Sequence, residues 1–362
     1  ISSANYPRDI KQIAEQGGAD ACAAEAAPAA EEAPAETPAP AESEAPAAPA
    51  ESAAPAESEA PAASGESYDI VVMPKLIGIP YFNQTGEGAE KAGKDLGVNV
   101  IYNGPTTADA AEQVKMLEDY ITQGVDAICV APNDPAALDP VLKKAREAGI
   151  KVLDWDTPAT EDLVDASIHQ ISDKELGEHC VDKLVEYMGT EEGEYAIITG
   201  GLSAANLNAW IKYAREYAEE KFPNLKLVAD PYPTDEKQDV ALSTAKDVMK
   251  AYPDLKGFIC MSTPAPIGTA QAVRELGLQD KVTVVGTCVE EDCQDVLSDG
   301  SLDCGMLWNT QNLGYLTVAC AKALLDGKTL SNGATIDGWD SPLVMENDKI
   351  VVMGPPDDYE KK

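Results

Sequence analysis

The chain has 362 residues, of which 63 are acidic and 27 are basic, and its formal net charge at pH 7 is −36. Nucleic acids and anionic lipid surfaces are bound by clustered Lys and Arg, so this charge argues against nucleic-acid partners and against docking on anionic membranes. No apolar run reaches the roughly 20 residues that cross a bilayer, so we expect no direct membrane span.

The first 67 residues differ in composition from the rest. Positions 23–67 contain only Ala, Pro, Glu, Ser, Thr and Gly, and the segment APAESEAPAA occurs at 39–48 and again at 54–63. This composition has no apolar surface to bury and predicts a disordered, semi-extended acidic stalk over 1–67. A stalk favours an extracytoplasmic protein, either periplasmic or tethered at the cell surface. Cys22 lies where a lipid anchor is expected, although 1–21 lack the apolar segment of a lipidation signal.

Eight cysteines in a chain of this length do not indicate a disulfide scaffold. Four lie in apolar strand-like or helix-like runs, and we interpret them as small buried hydrophobes: Cys129, Cys180, Cys260 and Cys320. Cys288, Cys293 and Cys304 are closer together, and the sequence leaves a bridge among them open. There are two histidines and no zinc-like Cys/His spacing, so we expect no metal and no cofactor.

From residue 68 onward, short apolar strands alternate with helices. Strands are predicted at 69–73, 98–102, 127–131, 151–154 and 166–169, then at 195–199, 225–229, 257–261, 282–286 and 304–307, with a late strand at 349–353. Helices are predicted at about 85–96, 109–123, 135–148, 172–188, 206–221, 237–251, 266–277, 290–299 and 311–326. This order predicts an α/β protein with two doubly wound parallel-sheet lobes. We assign 68–169 plus 310–335 to lobe 1 and 170–309 plus 336–362 to lobe 2.

The first strand and the turn and helix after it, YDIVVMPKLIGIPYFNQTGEGAEKAG at 68–93, contain the first candidate ligand-binding residues. Lys75, Tyr81, Phe82 and Asn83 follow the strand, where parallel sheets bind their ligands. Aromatic rings cover C–H faces and polar groups bond hydroxyls, so this set suits a hydroxylated ligand. The alternative is that the two rings only cap the core and the lysine is solvated.

Polar and aromatic side chains also follow several later strands. The candidates are Trp155, Asp156, Asn206, Asn208, Thr263, Thr287, Trp308 and Asn309, with Ser262, Trp210 and Gln311 beside them. Taken singly, each has a structural explanation: an Asp that caps a helix, a turn at Asp156, or a Trp308 that is plain core. Taken together, they predict a binding cleft, because they converge only if the two lobes face each other.

Several segments carry a family resemblance: PKLIGIPYFNQTGEGAEKAGKDLGVNVIYNGPT, QGVDAICVAP, VLDWDT, NAWIKYA, AYPDLKGFI and NDKIVVM. Together they resemble the type 1 periplasmic sugar-binding proteins, and in particular the branch with autoinducer-2 and rhamnose receptors of ABC importers. The resemblance covers essentially all of 68–362. It implies two Rossmann-like lobes joined by a three-stranded hinge, a ligand enclosed by hinge motion, and a permease partner.

Within that branch the autoinducer-2 receptors use a lysine and an aspartate that match Lys75 and Asp156. Their adjacent Asp-Gln pair corresponds to Asn206-Leu207 here, and their Pro and Ala to Met261 and Thr263. Unpaired ligand hydroxyls would cost about 1–3 kcal/mol each. The resemblance therefore implies a receptor for a sugar or sugar-like polyol, with autoinducer-2 as the alternative. We expect a monomer.

Other classes fit less well. A transcriptional regulator needs a basic N-terminal DNA-binding segment, where this chain has an acidic stalk. A glycosidase would use Asp154 and Asp156, but we expect these two residues to be poorly placed as a pair on one substrate. We therefore expect no enzymatic activity. A chemoreceptor would share the binding site, and the sequence does not distinguish it from a transport receptor.

Overall fold

The computed structural model describes residues 67–361, so Cys22 and the predicted stalk up to residue 66 lie outside the described residues. Two sheets and their helices make up the described part. The first sheet contains β1 (Asp69–Met73), β2 (Asn99–Tyr102), β3 (Ala127–Val130), β4 (Lys151–Trp155), β5 (Ala166–His169), β12 (Val344–Met345) and β13 (Ile350–Val352). The second contains β6 (Gly193–Thr199), β7 (Leu225–Leu227), β8 (Tyr232–Pro233), β9 (Leu255–Met261), β10 (Thr283–Thr287), β11 (Cys304–Leu307) and β14 (Asp357–Glu360).

The helices of the described part connect these strands. They are α1 (Pro80–Leu96), α2 (Ala110–Gln123), α3 (Pro135–Glu147), α4 (Asp173–Met188), α5 (Ala205–Lys221), α6 (Gln238–Ala251), α7 (Pro264–Leu276), α8 (Glu290–Ser298) and α9 (Thr310–Leu325). A short 3-10 turn covers Glu161–Leu163. None of the described helices combines the length and apolarity that a membrane crossing requires.

Sheet 1 has the order β12-β13-β5-β4-β3-β1-β2, and its strands are parallel except at β12. Its strands are apolar because both faces are covered. On β1, Ile70 and Val72 pack in the core cluster that includes residues of α1 and α9, whereas Val71 and Met73 pack in the cluster of α2 and α3. The predicted alternation of strands and helices is confirmed here.

Sheet 2 has the order β14-β11-β10-β9-β6-β7, with β8 paired to β6 and β14 antiparallel to β11. Both faces of this sheet are also covered by helices. Ile197 on β6 packs in the cluster with residues of α4 and α5, and its neighbour Ile198 packs in the cluster with α6 and α7. The doubly wound two-lobe architecture predicted from the sequence is confirmed.

Three short segments connect the lobes: 170–172, 308–309 and 353–356. The first and third run side by side, because the Met353 N–H donates to the His169 carbonyl at 2.9 Å and the Gly354 N–H to the Gln170 carbonyl at 3.3 Å. The three connecting segments correspond to the predicted hinge, although none of them is assigned as a strand.

One boundary drawn from the sequence is wrong. The sequence assigns 336–362 to lobe 2, but β13 pairs in parallel with β5 of sheet 1, and β12 pairs with β13. Lobe 1 therefore continues to the third connecting segment, and only β14 returns to sheet 2. The pairing of an edge strand depends on contacts distant in sequence, which local periodicity does not report.

Helix α1 begins at Pro80 rather than near residue 85. Proline suits the first helical position, because its φ is already helical and its missing N–H would have no helical partner there. Tyr81, Phe82 and Asn83 therefore lie in the first turn of a helix and not in the loop that the sequence suggested. The seven described cysteines are all buried and free, including Cys288, Cys293 and Cys304.

Helices α1 and α9 pack so closely that glycine is required at their contact. A Cβ on Gly314 would lie 1.9 Å from the Thr85 carbonyl oxygen, and a Cβ on Gly88 would lie 1.9 Å from that of Gln311. The contact holds α9, which follows the second connecting segment, against lobe 1.

We predict that Gly314→Ala lowers the free energy of unfolding by about 1–3 kcal/mol, since the backbones must move apart to admit the methyl group. Urea unfolding followed by circular dichroism measures the change. Gly201→Ala is the control, because nothing lies within 4 Å of the added Cβ there. Equal stability of Gly314→Ala and the parent would show that the helix contact is not tight.

Candidate functional site

The two lobes enclose a cavity at the carboxyl ends of their strands. Its empty volume, which includes space open to solvent, is about 350 Å³. We call it the interlobe cavity; it is lined by Lys75, Ile79, Tyr81, Phe82, Asp156, Asn206, Leu207, Trp210, Glu236, Ser262, Thr263, Thr287 and Trp308. Eight of the twelve candidates from the sequence are among them, contributed by both lobes.

An ion pair lies at the centre of the cavity wall. Lys75 Nζ is 3.2 Å from Asp156 Oδ2, and each side chain is only 5% exposed. The loop that carries Lys75 is held by buried amides: Gln113 Nε2 donates to the Pro74 carbonyl at 3.1 Å, and Asn133 Nδ2 donates to the Lys75 carbonyl at 2.8 Å. The lysine is therefore positioned by the ends of β1 and β3 and not by solvent.

Asp156 follows β4 in a left-handed backbone conformation, with φ of 62°. The Asp156 N–H donates to the Ile168 carbonyl at 3.2 Å, and Gln170 Nε2 donates to the Asp156 carbonyl at 3.2 Å. The carboxylate accepts from the Tyr81 hydroxyl at 2.6 Å, and Thr157 Oγ1 lies 3.2 Å from Asp156 Oδ2. Burial and the adjacent Asp156 carboxylate raise the pKa of Tyr81 well above its ordinary value, so this hydroxyl remains a donor.

Five aromatic side chains form a continuous row from one lobe to the other. Neighbouring rings meet edge to face, with centroid separations of 5.9 Å for Trp155–Phe82, 4.9 Å for Phe82–Tyr81, 6.0 Å for Tyr81–Trp308 and 5.8 Å for Trp308–Trp210. The Trp308 indole N–H also donates to the Tyr81 hydroxyl at 3.2 Å. Trp308 occupies the second connecting segment, and it contacts rings of both lobes.

The second lobe contributes mainly neutral polar groups. Asn206, in the first turn of α5, accepts through Oδ1 from Lys75 Nζ at 3.1 Å and from Thr157 Oγ1 at 2.8 Å. The hydroxyls of Ser262 and Thr287 are buried and make no hydrogen bond within the described residues. Buried polar groups are normally paired, so two unpaired hydroxyls at a cavity wall indicate where ligand groups bind.

Glu236 is the functional candidate that the sequence did not identify. It follows the two-residue strand β8, and both it and Asp235 have positive φ, 58° and 50°. Burial raises the pKa of its carboxyl above its ordinary value, while the Lys75 ammonium opposes that rise. A two-residue strand leaves no periodicity, so the sequence carries no sign of a strand end there. The sequence did not identify the apolar lining residues Ile79 and Leu207 either.

Four candidates from the sequence do not line the cavity. Trp155 is fully buried behind Phe82, and its indole donates to the Cys129 carbonyl at 3.3 Å. Asn83 and Asn208 are exposed, because they lie on the sides of their helices that face away from the cavity. The Asn208 side chain donates to the Leu202 carbonyl at 2.8 Å. Asn309 caps α9 by accepting from the Asn312 N–H at 2.8 Å.

Asp154 and Asp156 do not face the same space. Asp154 is buried away from the cavity, where it accepts from the Ala159 N–H at 2.8 Å and from the Ser167 hydroxyl. Burial raises the pKa of Asp154 to about 7. Among residues 67–361, no group of three or more His, Cys, Asp or Glu side chains is arranged to hold a metal ion.

A wider groove adjoins the interlobe cavity. We call it the outer groove; it is lined by Ile79, Pro80, Glu236, Gln238, Thr263, Pro264, Ile267, Gln271, Arg274, Asp292, Asp295 and Val296, with an empty volume of about 1130 Å³. Ile79, Glu236 and Thr263 line both spaces.

A family model described as a periplasmic binding protein domain matches residues 70–329, and this chain belongs to that family. The D-allose-binding periplasmic protein of Escherichia coli strain K12 is 27% identical over 253 residues, which cover 68% of this chain and 81% of that protein. The ribose import binding protein RbsB of the same organism is 23% identical, over 74% and 88%.

Solved structures agree with this fold. LsrB from Clostridium saccharobutylicum in complex with AI-2 has a TM-score of 0.76 and 25% identity, covering 81% of this chain and 97% of that one. A solute binding protein of an ABC transporter from Clostridium phytofermentas, with bound L-rhamnose, has a TM-score of 0.76 and 24% identity, over 82% and 97%. The type 1 two-lobe architecture inferred from the sequence resemblance is therefore confirmed.

Trp210 is oriented by an acidic residue whose pKa is shifted. Its indole N–H donates to Asp173 Oδ1 at 2.7 Å. Burial raises the pKa of Asp173 from its ordinary 3.8 to about 6, against the opposing effect of this hydrogen bond. Because the folded state favours the protonated carboxyl, the stability that Asp173 provides is complete below pH 3.8 and is lost as the pH rises through 6.

We predict that Asp173→Asn is more stable relative to the parent at pH 7 than at pH 4. Asparagine still accepts the indole N–H but does not ionise. The rise in pKa corresponds to about 3 kcal/mol, which partial solvent contact reduces to about 1–2 kcal/mol. Urea unfolding at several pH values measures the difference. A difference that stays constant between pH 4 and pH 7 would contradict the raised pKa.

Proposed function

We propose that this protein is an extracytoplasmic receptor that binds a sugar or sugar-like polyol between its lobes and delivers it to an ABC importer. The main support for the proposal is that Lys75 and Asp156 of lobe 1 contact each other and Asn206 of lobe 2 contacts Lys75, all in one cavity lined by aromatic rings. Sugars combine apolar C–H faces with hydroxyls, and this lining combines ring edges and faces with donors and acceptors.

The charges of the cavity favour a ligand without net negative charge. Among the described residues that line it, Lys75 is the single basic one and is already paired with Asp156, while Glu236 adds a second carboxyl. An anionic ligand would therefore meet an excess of acidic groups. The unpaired hydroxyls of Ser262 and Thr287 suit ligand hydroxyls, because a hydroxyl both donates and accepts.

Lobe closure provides the signal that ligand is bound. Hydrogen bonds between described residues already join the lobes: Lys75 to Asn206 at 3.1 Å, Thr157 to Asn206 at 2.8 Å, Ser203 to the Asn133 carbonyl at 2.8 Å, and Gln84 to Glu291 at 3.3 Å. A ligand that contacts Lys75 and Asn206 together binds the closed arrangement better than an open one. It shifts the population toward the closed form by that difference in affinity. A permease then recognises the closed pair of lobes.

The relatives support a sugar ligand without selecting one. They include proteins named for allose and ribose and a structure with bound L-rhamnose. Autoinducer-2 is the ligand of the LsrB structure. By the sequence resemblance, Lys75 and Asp156 match the autoinducer-2 receptors, but Asn206-Leu207, Met261 and Thr263 depart from them. A neutral sugar or polyol is the main proposal. We further propose a monomer at the cell surface or in the periplasm, with the chain before residue 67 as its tether.

Two measurements test the function. Mass spectrometry of the small molecules released by denaturing the purified protein identifies any ligand bound during production. Calorimetry then measures binding of D-allose, D-ribose, L-rhamnose, D-arabinose, xylitol and autoinducer-2. We expect a dissociation constant in the micromolar range or below for at least one sugar or polyol. No heat with any of them, together with no released polyol, would overturn the proposal.

We predict that Asp156→Asn weakens binding of the best sugar in that panel by at least about tenfold, which is about 1.4 kcal/mol. The change leaves the buried Lys75 ammonium without its counter-charge. Tyr81→Phe, which removes one hydrogen bond to Asp156, should weaken binding less and serves if Asp156→Asn folds poorly. Calorimetry and urea unfolding are run on each variant.

Asp292→Asn is the matched control. Asp292 is an exposed carboxylate of the outer groove and does not line the interlobe cavity. It should leave the affinity unchanged. Equal weakening by Asp156→Asn and Asp292→Asn would show that a general loss of negative charge, and not the buried ion pair, governs binding.

A further inference from the structure

Glu236 stands between the two adjoining spaces of the cleft. It lines the interlobe cavity and also the outer groove, as do Ile79 and Thr263. These three residues lie where the interlobe cavity meets the outer groove. Ile79 belongs to lobe 1 and the other two to lobe 2, so the boundary closes when the lobes close.

Hydrogen bonds and backbone conformation fix Glu236 at this boundary. The Thr234 N–H and hydroxyl both donate to the Thr199 carbonyl, at 2.9 and 2.8 Å, which fixes the loop to the end of β6. Positive φ at Asp235 and Glu236 is an unusual conformation for residues with side chains, and such conformations persist where the surroundings enforce them.

The carboxyl end of Glu236 lies over a glycine. A Cβ on Gly200 would be 2.0 Å from Glu236 Oε1, so any other residue at position 200 would displace the carboxyl. Glu236 makes no ion pair with a basic side chain among residues 67–361. The position of the Glu236 carboxyl is therefore set by its backbone conformation and by packing against Gly200, and not by an ion pair.

We propose that Glu236 sets the size limit of the ligand, by closing the passage from the interlobe cavity to the outer groove. The ligand is then a single ring, or an acyclic polyol of similar length, with a hydroxyl directed at Glu236. A substituent on that hydroxyl would need the space that the glutamate side chain occupies. This inference rests on the proposed function. It means that the site selects its ligand partly by excluding larger molecules sterically, and not only by favourable contacts.

The test compares one bound sugar with its own derivatives. The sugar from the panel that binds the parent is assayed by calorimetry beside its methyl glycosides and each of its mono-O-methyl ethers. The variants are Glu236→Gly, which removes the side chain and accepts positive φ freely, and Glu236→Gln, which keeps its length. Glu236→Ala repeats the truncation in case glycine loosens the loop. Thermal unfolding confirms that each variant is folded.

We expect the parent to bind one derivative at least about tenfold more weakly than the free sugar. Glu236→Gly should restore the affinity for that derivative and leave the affinities for the other derivatives unchanged. Glu236→Gln should not restore it. Gln238→Ala is the control, since Gln238 lines the outer groove only, and it too should leave the derivative excluded.

Several results would overturn the size limit while the receptor function stands. They are equal binding of all derivatives by the parent, no selective restoration in either truncated variant, or restoration by Glu236→Gln or Gln238→Ala. If the parent binds no unmodified sugar or polyol, the proposed function itself fails and the size limit fails with it.

Discussion

The buried ion pair of Lys75 and Asp156 is the interaction on which the rest of the site depends. Removing two charges from water costs several kcal/mol for each ion, and the pair is favourable only when further hydrogen bonds surround it. Here the Tyr81 hydroxyl donates to Asp156, and Asn206 Oδ1 accepts from Lys75. The pair therefore fixes one ring on the first lobe and one amide on the second. It is both an electrostatic centre for a ligand and a link between the lobes.

Sheet order is what brings the pair together. In sheet 1 the order β4-β3-β1 places the ends of β1 and β4 on either side of β3, so residues 75 and 156 meet although they are far apart in sequence. Three connecting segments then keep α9 and β13 with lobe 1, and Trp308, in the second of them, contacts Tyr81 and Trp210. The connecting segments that allow the lobes to move thus also include Trp308, the ring that links the aromatic side chains of the two lobes.

Much of the site was predictable because ligands of parallel sheets bind at strand ends, and strand ends are visible in a sequence as the point where an apolar run stops. That rule located Lys75, Asp156, Asn206 and Trp308. It failed for Asn83 and Asn208, because these lie in helices, where a shift of one or two residues turns a side chain through about 100° or more. It failed for Glu236 because β8 is two residues long.

The sequence by itself determined the alternation of strands and helices, the residue types at each strand end, and the excess of acidic charge, because each follows from neighbours in the chain. Only the tertiary structure decided which strand ends meet, that β13 joins sheet 1, and that Asp156 and Glu236 adopt left-handed backbone conformations facing one cavity. These depend on hydrogen bonds and packing between residues distant in sequence, and such contacts leave no local pattern.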